Sequence, residues 1–154
     1  DLVGAWGGYI VDQTRTLAVG GLPEGPARTY RAAIEMEAVL AAAMRPGVLT
    51  GDLFRQAQQL AADYGLADHF LGYGDNRAAF CGHGIGLELD EAPVIAAGGR
   101  IPLAAGMVLA LEPKFSFPGI GVVGVEDTFL VTEMGVEKLT GTNYEVTVEP
   151  RPSS

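Results

Sequence analysis

One cysteine, Cys81, stands in the whole chain, so no internal disulfide can form. A chain without that staple fits a reducing compartment, and a cytoplasmic location is expected. No apolar run reaches the roughly 18 residues that a membrane helix needs, so no membrane partner is expected. Basic residues are scarce, with 10 Lys and Arg against 19 Asp and Glu and a formal charge of −9. No basic patch is available to neutralise phosphates, which argues against a nucleic-acid partner. Repeats and low-complexity tracts are missing. So are a signal-like start and an initiator Met, and the chain reads as the C-terminal part of something longer.

What is present is an ordinary apolar fraction of 48%, ample for one core, and residues 1–154 read as a single domain. Residues 2–5 and 8–18 are β-rich and flank Trp6-Gly7, which predicts a hairpin. Alanine, glutamate and arginine from Ala27 to about Arg45 predict a helix with Ile34, Val39, Leu40 and Met44 as apolar positions, stopped by Pro46-Gly47. Thr50 is expected to cap a second helix through Tyr64, with Leu53, Ala57, Leu60 and Ala61 on one face and Gly65 closing it. A helical turn near Ala67–Leu71 comes next. The remainder reads as strand and loop, with long strands over 106–117 and 121–132, a last strand at Lys138-Leu139 and a frayed tail from Pro150 to Ser154. This order of elements gives an α+β class.

The acids in those strands carry the chemistry. If the second hairpin is centred near Gly119, Glu112 lies opposite Glu126, and directly opposed Cβ atoms are about 4.5–5.5 Å apart. Ala110, Gly124 and Thr128 on the same faces are small and leave room beside the carboxylates. If the first hairpin turns at Trp6-Gly7, Asp1 faces Asp12 in the same way. Glu112 and Glu126 sit in apolar strands, where an unpaired carboxylate costs several kcal/mol and takes up a proton or a partner. A divalent cation is such a partner. Taken singly, each residue has a bland reading: Asp12 as a solvated turn residue, Glu112 as an edge-strand charge, His83 as a structural histidine. Together they form an oxygen-rich set with one imidazole, which suits Mn²⁺, Zn²⁺, Co²⁺ or Fe²⁺. Glycines on both sides of His83 permit close approach of the chain.

Four segments resemble the metallopeptidases of family M24. They are Asp1-Leu2-Val3-Gly4 through Asp12-Gln13-Thr14-Arg15-Thr16, Gly82-His83-Gly84-Ile85-Gly86, Leu111-Glu112-Pro113, and Gly124-Val125-Glu126-Asp127-Thr128. The family includes prolidase (Xaa-Pro dipeptidase), aminopeptidase P and, more distantly, methionine aminopeptidase. The short step from Glu112 to Glu126 resembles prolidases most. The resemblance implies part of a pita-bread (creatinase/aminopeptidase) fold. It also implies two divalent metal ions on Asp1, Asp12, His83, Glu112 and Glu126. Asp1 and Asp12 would bind one metal, His83 and Glu112 the other, and Asp12 and Glu126 would bridge them. It further implies a metal-held hydroxide as nucleophile, catalytic roles for His83 and for Glu112 as proton shuttle, a small-peptide substrate cleaved next to proline, and a homodimer of the full-length protein.

Two departures qualify this. Seven residues after the metal-binding His the family has a second, substrate-contacting His, whereas Asp90 stands here. An ionised Asp cannot donate to an oxyanion. Asp90 reads as protonated, as a binder of a cationic substrate group, or as a loop cap. The upstream part of the catalytic domain and an N-terminal domain also do not appear, which leaves Asp1 as a terminus, so the isolated piece is expected to hold metal poorly or be inactive. The alternatives are a metal-dependent lyase on the same scaffold, or a silent peptide-binding or protein-binding module. Cys81 and His69 read as structural, and Trp6 and Tyr144 as packing residues.

Overall fold

The computed structural model describes residues 1–151, so Pro152–Ser154 of the expected tail lie outside the described residues. Pro150 and Arg151 are exposed and carry no regular structure. The elements run β1 (Leu2–Trp6), β2 (Tyr9–Gln13), β3 (Leu17–Val19), α1 (Glu24–Ala43), α2 (Thr50–Asp63), β4 (Gly72–Tyr73), β5 (Asn76–Arg77), β6 (Phe80–Gly84) and β7 (Glu91–Ala96). Then come β8 (Val108–Leu111), β9 (Lys114–Phe117), β10 (Gly121–Gly124), β11 (Asp127–Thr132), β12 (Gly135–Lys138) and β13 (Thr147–Glu149). A five-stranded antiparallel sheet in the order β12-β11-β8-β6-β7 forms the centre.

Both helices pack against this strand system, α2 on β6 and β7 and α1 on β9, β10 and β12. Alternation along the strands sorts residues between two faces. Leu109 and Leu111 of β8 join Met36, Leu40, Leu53 and Ala57 of the helices in one core. Ala110, between them, is the ladder partner of both His83 and Thr128. Adjacent residues of a strand therefore serve the core and the candidate site in turn.

α1 begins at Glu24, three residues earlier than predicted, because Pro26 falls in the first turn, where a missing N–H costs nothing. Its buried stripe runs through Tyr30, Ala33, Met36, Glu37 and Leu40, and Val39 faces outward. Thr50 is the first helical residue of α2 and not its cap. The first-turn amides are satisfied instead by backbone, with Thr50 N–H on Ile101 O at 3.1 Å and Gly51 N–H on Gly99 O at 3.0 Å. Ala67–Leu71 forms turns and a bridge, not a helix. β7 and β13 were not predicted.

The hairpin registers differ in outcome. Phe117 pairs with Gly121 and Leu111 with Asp127, so the expected centre at Gly119 holds. The two long strands are nonetheless broken at Glu112-Pro113 and Val125-Glu126, and Glu112 and Glu126 are not ladder partners. Pro113 has no N–H to give. Glu112 N–H turns to Cys81 O at 2.9 Å, and Glu126 pairs with Thr14. In the first hairpin the turn lies at Gly7-Gly8, both at positive φ, as a tight two-residue hairpin requires. Asp12 therefore faces Val3 and not Asp1. Asp1 falls on the same strand face, one diagonal step beyond. Trp6, expected to pack, is 90% exposed at the tip.

Glu37 is the one carboxylate buried in α1, at 2% exposure. Burial is the main cause that pushes its pKa up to about 7, with Asp127 adding to it and Lys138 opposing it. The folded state thus keeps a proton that the unfolded chain loses near pH 4.5. Stability from this group is complete below pH 4.5 and is lost as pH rises through about 7. Unfolding free energies from denaturant titrations at about pH 5 and about pH 8 are expected to fall between the two, by on the order of 1–3 kcal/mol. Glu37→Gln is expected to flatten that slope.

Candidate metal centre

Two strands, β2 and β6, and the junction between β10 and β11 bring the central residues together. β2 lies across the end of the sheet, held in three places. Ile10 N–H donates to Gly86 O at 2.7 Å. Asp12 O accepts from Thr128 Oγ1 at 2.8 Å. Thr14 and Glu126 exchange backbone bonds at 3.1 and 3.0 Å. β6 carries His83 between two glycines that neighbouring backbone leaves no space to replace. A Cβ on Gly82 would meet Ala110 O at 2.7 Å, and one on Gly84 would meet Ala92 O at 2.5 Å. His83 is thus pressed between β7 and β8, as its flanking glycines imply.

Among the described residues, Asp12, His83 and Glu126 form one buried group whose donor atoms lie within 4.8 Å of one another. His83 Nε2 is 3.6 Å from Glu126 Oε1, and its Nδ1 is 3.0 Å from Gly84 O. With Nδ1–H donating to that carbonyl, Nε2 is the ring nitrogen that faces the carboxylates, and once deprotonated it can ligate. Thr14 Oγ1 donates to Glu126 Oε2 at 2.7 Å. Asp12 Oδ1 is buried without a hydrogen-bond partner. An orphaned carboxylate oxygen beside an imidazole and a second carboxylate fits a divalent cation.

Asp1 and Glu112 do not belong to that group. Both line an adjoining cavity of about 220 Å³, together with Thr14, Lys114 and Glu126. Asp1 is exposed, and Glu112 is buried and ion-paired with Lys114. Asp90 is mostly exposed, with Oδ1 3.4 Å from His83 Nδ1. The loop-cap role considered for Asp90 belongs to Glu91, whose Oε1 accepts from Leu87 N–H at 2.7 Å and Glu88 N–H at 3.1 Å.

The electrostatics follow from burial and like charge. Asp12 is raised above the ordinary carboxylate range by burial first and by Glu126 second. Burial also raises Glu112, and Lys114 offsets part of that. For His83, burial pulls downward, but Glu126, Gly84 O and Asp90 outweigh it and bring the pKa up to about 9. Cys81 is fully buried, its thiol pushed up to about 12 by burial, which makes it a core residue and no nucleophile. His69 stacks on Phe117 and meets Ser116 O at 2.7 Å, a structural role.

Several residues that bear on the site had no assigned role in the sequence reading. Thr14 and Lys114 each lie two positions after a candidate ligand, and that spacing is the signal. Asp127, inside the fourth motif, points away from Glu126 toward Arg15, Lys138, Thr140 and Gln13. Burial would raise it, yet these donors hold its pKa down to about 2. Tyr144 packs, as expected, under Arg15 at 4.4 Å, and its hydroxyl also meets Glu37 and Asp127.

Comparison with known proteins agrees with the motifs. Metallopeptidase family M24 matches residues 1–133. The Xaa-Pro dipeptidase of Pyrococcus furiosus is 34% identical over 146 residues, covering 95% of this chain and 40% of that protein. The probable dipeptidase PepE of Mycobacterium bovis is 34% identical over 151 residues, covering 97% of this chain and 38% of that protein. In structure, the dipeptidase PepE from Mycobacterium ulcerans matches with a TM-score of 0.84 at 36% identity, over 96% of this chain and 38% of that one. The prolidase from Pyrococcus furiosus matches at 0.83 and 34% identity, over 93% of this chain and 40% of that one. The chain spans about 40% of the length of the relatives it matches. Its α+β architecture is part of a pita-bread fold, and with the family match running through all four motifs, the chain belongs to metallopeptidase family M24.

Proposed function

We propose that the whole protein is an Xaa-Pro peptidase of the prolidase and aminopeptidase P type, cleaving the amide bond next to proline in small peptides. Asp1, Asp12, His83, Glu112 and Glu126 are its proposed ligands for two divalent cations, Mn²⁺, Co²⁺, Zn²⁺ or Fe²⁺. The observation that carries the reading is the buried group of Asp12, His83 and Glu126 with its orphaned Asp12 oxygen. Bound divalent cations would supply Lewis acidity, lowering a water's pKa from about 15.7 toward 7 and polarising the scissile carbonyl.

The chain's own residues do the rest. Thr14 fixes one oxygen of Glu126 and leaves the other free. Gly84 O fixes the tautomer of His83. Glu112 lines the cavity, and burial raises the proton affinity of its carboxylate, which when ionised would accept a proton and return it to the leaving amine. Lys114 lies beside it as a countercharge. Asp90, mostly exposed beside His83, would offer a negative charge to a cationic substrate group. This departure also carries a second reading, a metal-dependent lyase or other non-peptidase enzyme.

The test is metal content, together with hydrolysis of Xaa-Pro dipeptides after addition of Mn²⁺ or Co²⁺, for the whole protein and for Asp90→His. Two equivalents of metal and proline-dependent hydrolysis are expected. Asp12→Ala is expected to lower the rate at least about a hundredfold. Metal without peptidase activity in either form would leave the lyase reading. Absence of metal uptake would leave the silent binding module. Since a protonated imidazole cannot ligate, cation affinity is also expected to rise with pH until His83 is deprotonated near pH 9. The gain is about tenfold per pH unit for the one proton released. Calorimetric titration at three pH values below 9 measures it.

A further inference from the structure

Glu126 and Asp127 are consecutive, and the strand sends them to opposite sides. Glu126 enters the candidate centre, whereas Asp127 has 0% exposure and gathers donors from two distant stretches of chain. Gln13 Nε2 reaches it at 3.1 Å, Arg15 Nη2 at 2.9 Å, Lys138 Nζ at 2.5 Å, Thr140 Oγ1 at 2.6 Å and Tyr144 Oη at 3.1 Å. Gln13 and Arg15 flank Thr14, the residue whose backbone pairs with Glu126. Arg15 Nη1 in turn donates to Thr14 O at 2.8 Å and to Glu126 O at 3.0 Å, so it braces that bridge directly. Its remaining donors go to Gly141 O at 2.8 Å and Asn143 O at 2.7 Å, and Tyr144 lies under the guanidinium plane. Residues 138–144 lie beyond the family match, which ends at residue 133.

We propose that Arg15 and Asp127 are positioning residues for the metal centre, and that the segment 138–144 acts with them as a clamp setting the separation of Asp12 and Glu126. The inference rests on the proposed role of those two carboxylates as ligands. The geometry is specific. A lysine at position 15 keeps the charge but cannot present a planar fork to a carboxylate and two carbonyls at once. Without Thr140 Oγ1, Asp127 loses one donor and the clamp loosens from the C-terminal side. Misplaced ligand supports of this kind cost roughly 10- to 100-fold in metal affinity.

The test uses Co²⁺ alone, titrated into metal-free whole protein, with affinity from calorimetry and coordination geometry from the visible absorption of the bound ion. Arg15→Lys and Thr140→Val are compared with wild type, with Asp127→Asn as the severe variant. Circular dichroism establishes that each is folded. Weaker Co²⁺ binding by about ten- to a hundredfold in Arg15→Lys is expected. A smaller loss in Thr140→Val and an altered Co²⁺ spectrum in both are also expected. A folded Arg15→Lys with wild-type affinity and spectrum would overturn the clamp, even if Asp127→Asn fails to fold. Wild type that takes up no Co²⁺ would overturn the proposed function together with the clamp, whereas wild type that binds beside unaffected variants would overturn the clamp alone.

Discussion

The antiparallel bridge between Thr14 and Glu126 is the constraint on which the rest of the candidate site depends. It joins a hairpin at the start of the chain to a strand more than a hundred residues later. Without it Asp12 and Glu126 would be separate acids on separate hairpins. With it, two buried carboxylates face one imidazole, and for Asp12 burial and the Glu126 charge both act against the ionised form. A backbone contact is suited to hold such a group, because its strength does not depend on the charge state of the side chains it aligns.

Burial then divides the polar groups into two sets with opposite behaviour. On one side of β11, Asp12 and Glu112 are raised, and one oxygen of Asp12 has no partner. On the other side Asp127 is depressed because arginine, lysine, threonine and glutamine all donate to it. One carboxylate environment is under-satisfied and fits an incoming cation, and the other is saturated and fits a fixed strut. The helices add a third element, Glu37, which meets the Asp127 side through Lys138 and Tyr144 with one oxygen, while its other oxygen has no partner and burial raises its pKa.

Much of this was legible from local pattern. The centre of the second hairpin at Gly119 and the two helices follow from alternation and turn residues, whereas the grouping of Asp12, His83 and Glu126 is what the resemblance to family M24 implies. The misses have physical causes. The first hairpin turns at Gly7-Gly8 and not one residue earlier, because both turn positions need positive φ, and that shift moves Asp1 from a direct to a diagonal position. The break at Pro113 follows from its missing N–H but needs the competing partners, Cys81 and Thr14, to be known. β13 pairs in parallel with β3 across nearly the whole chain, and no periodicity announces a contact so distant. Arg15 and Asp127 stand inside the quoted motifs without an assigned role, because their partners in 138–144 are scattered side chains and loop carbonyls without a repeating pattern.

The opposite facing of Glu126 and Asp127 has a consequence for how such a chain can vary. Substituting Glu126 acts on the cavity directly, whereas substituting Asp127 acts on it through Arg15 and the Thr14 bridge. Inserting or removing a single residue ahead of them would turn both to the opposite side, taking Glu126 off the cavity and Asp127 off its donors. Chain length between Glu112 and Glu126 is therefore under tighter geometric control than composition there, and length changes are better accommodated out at the Gly119 turn, in steps that preserve the parity of the strands.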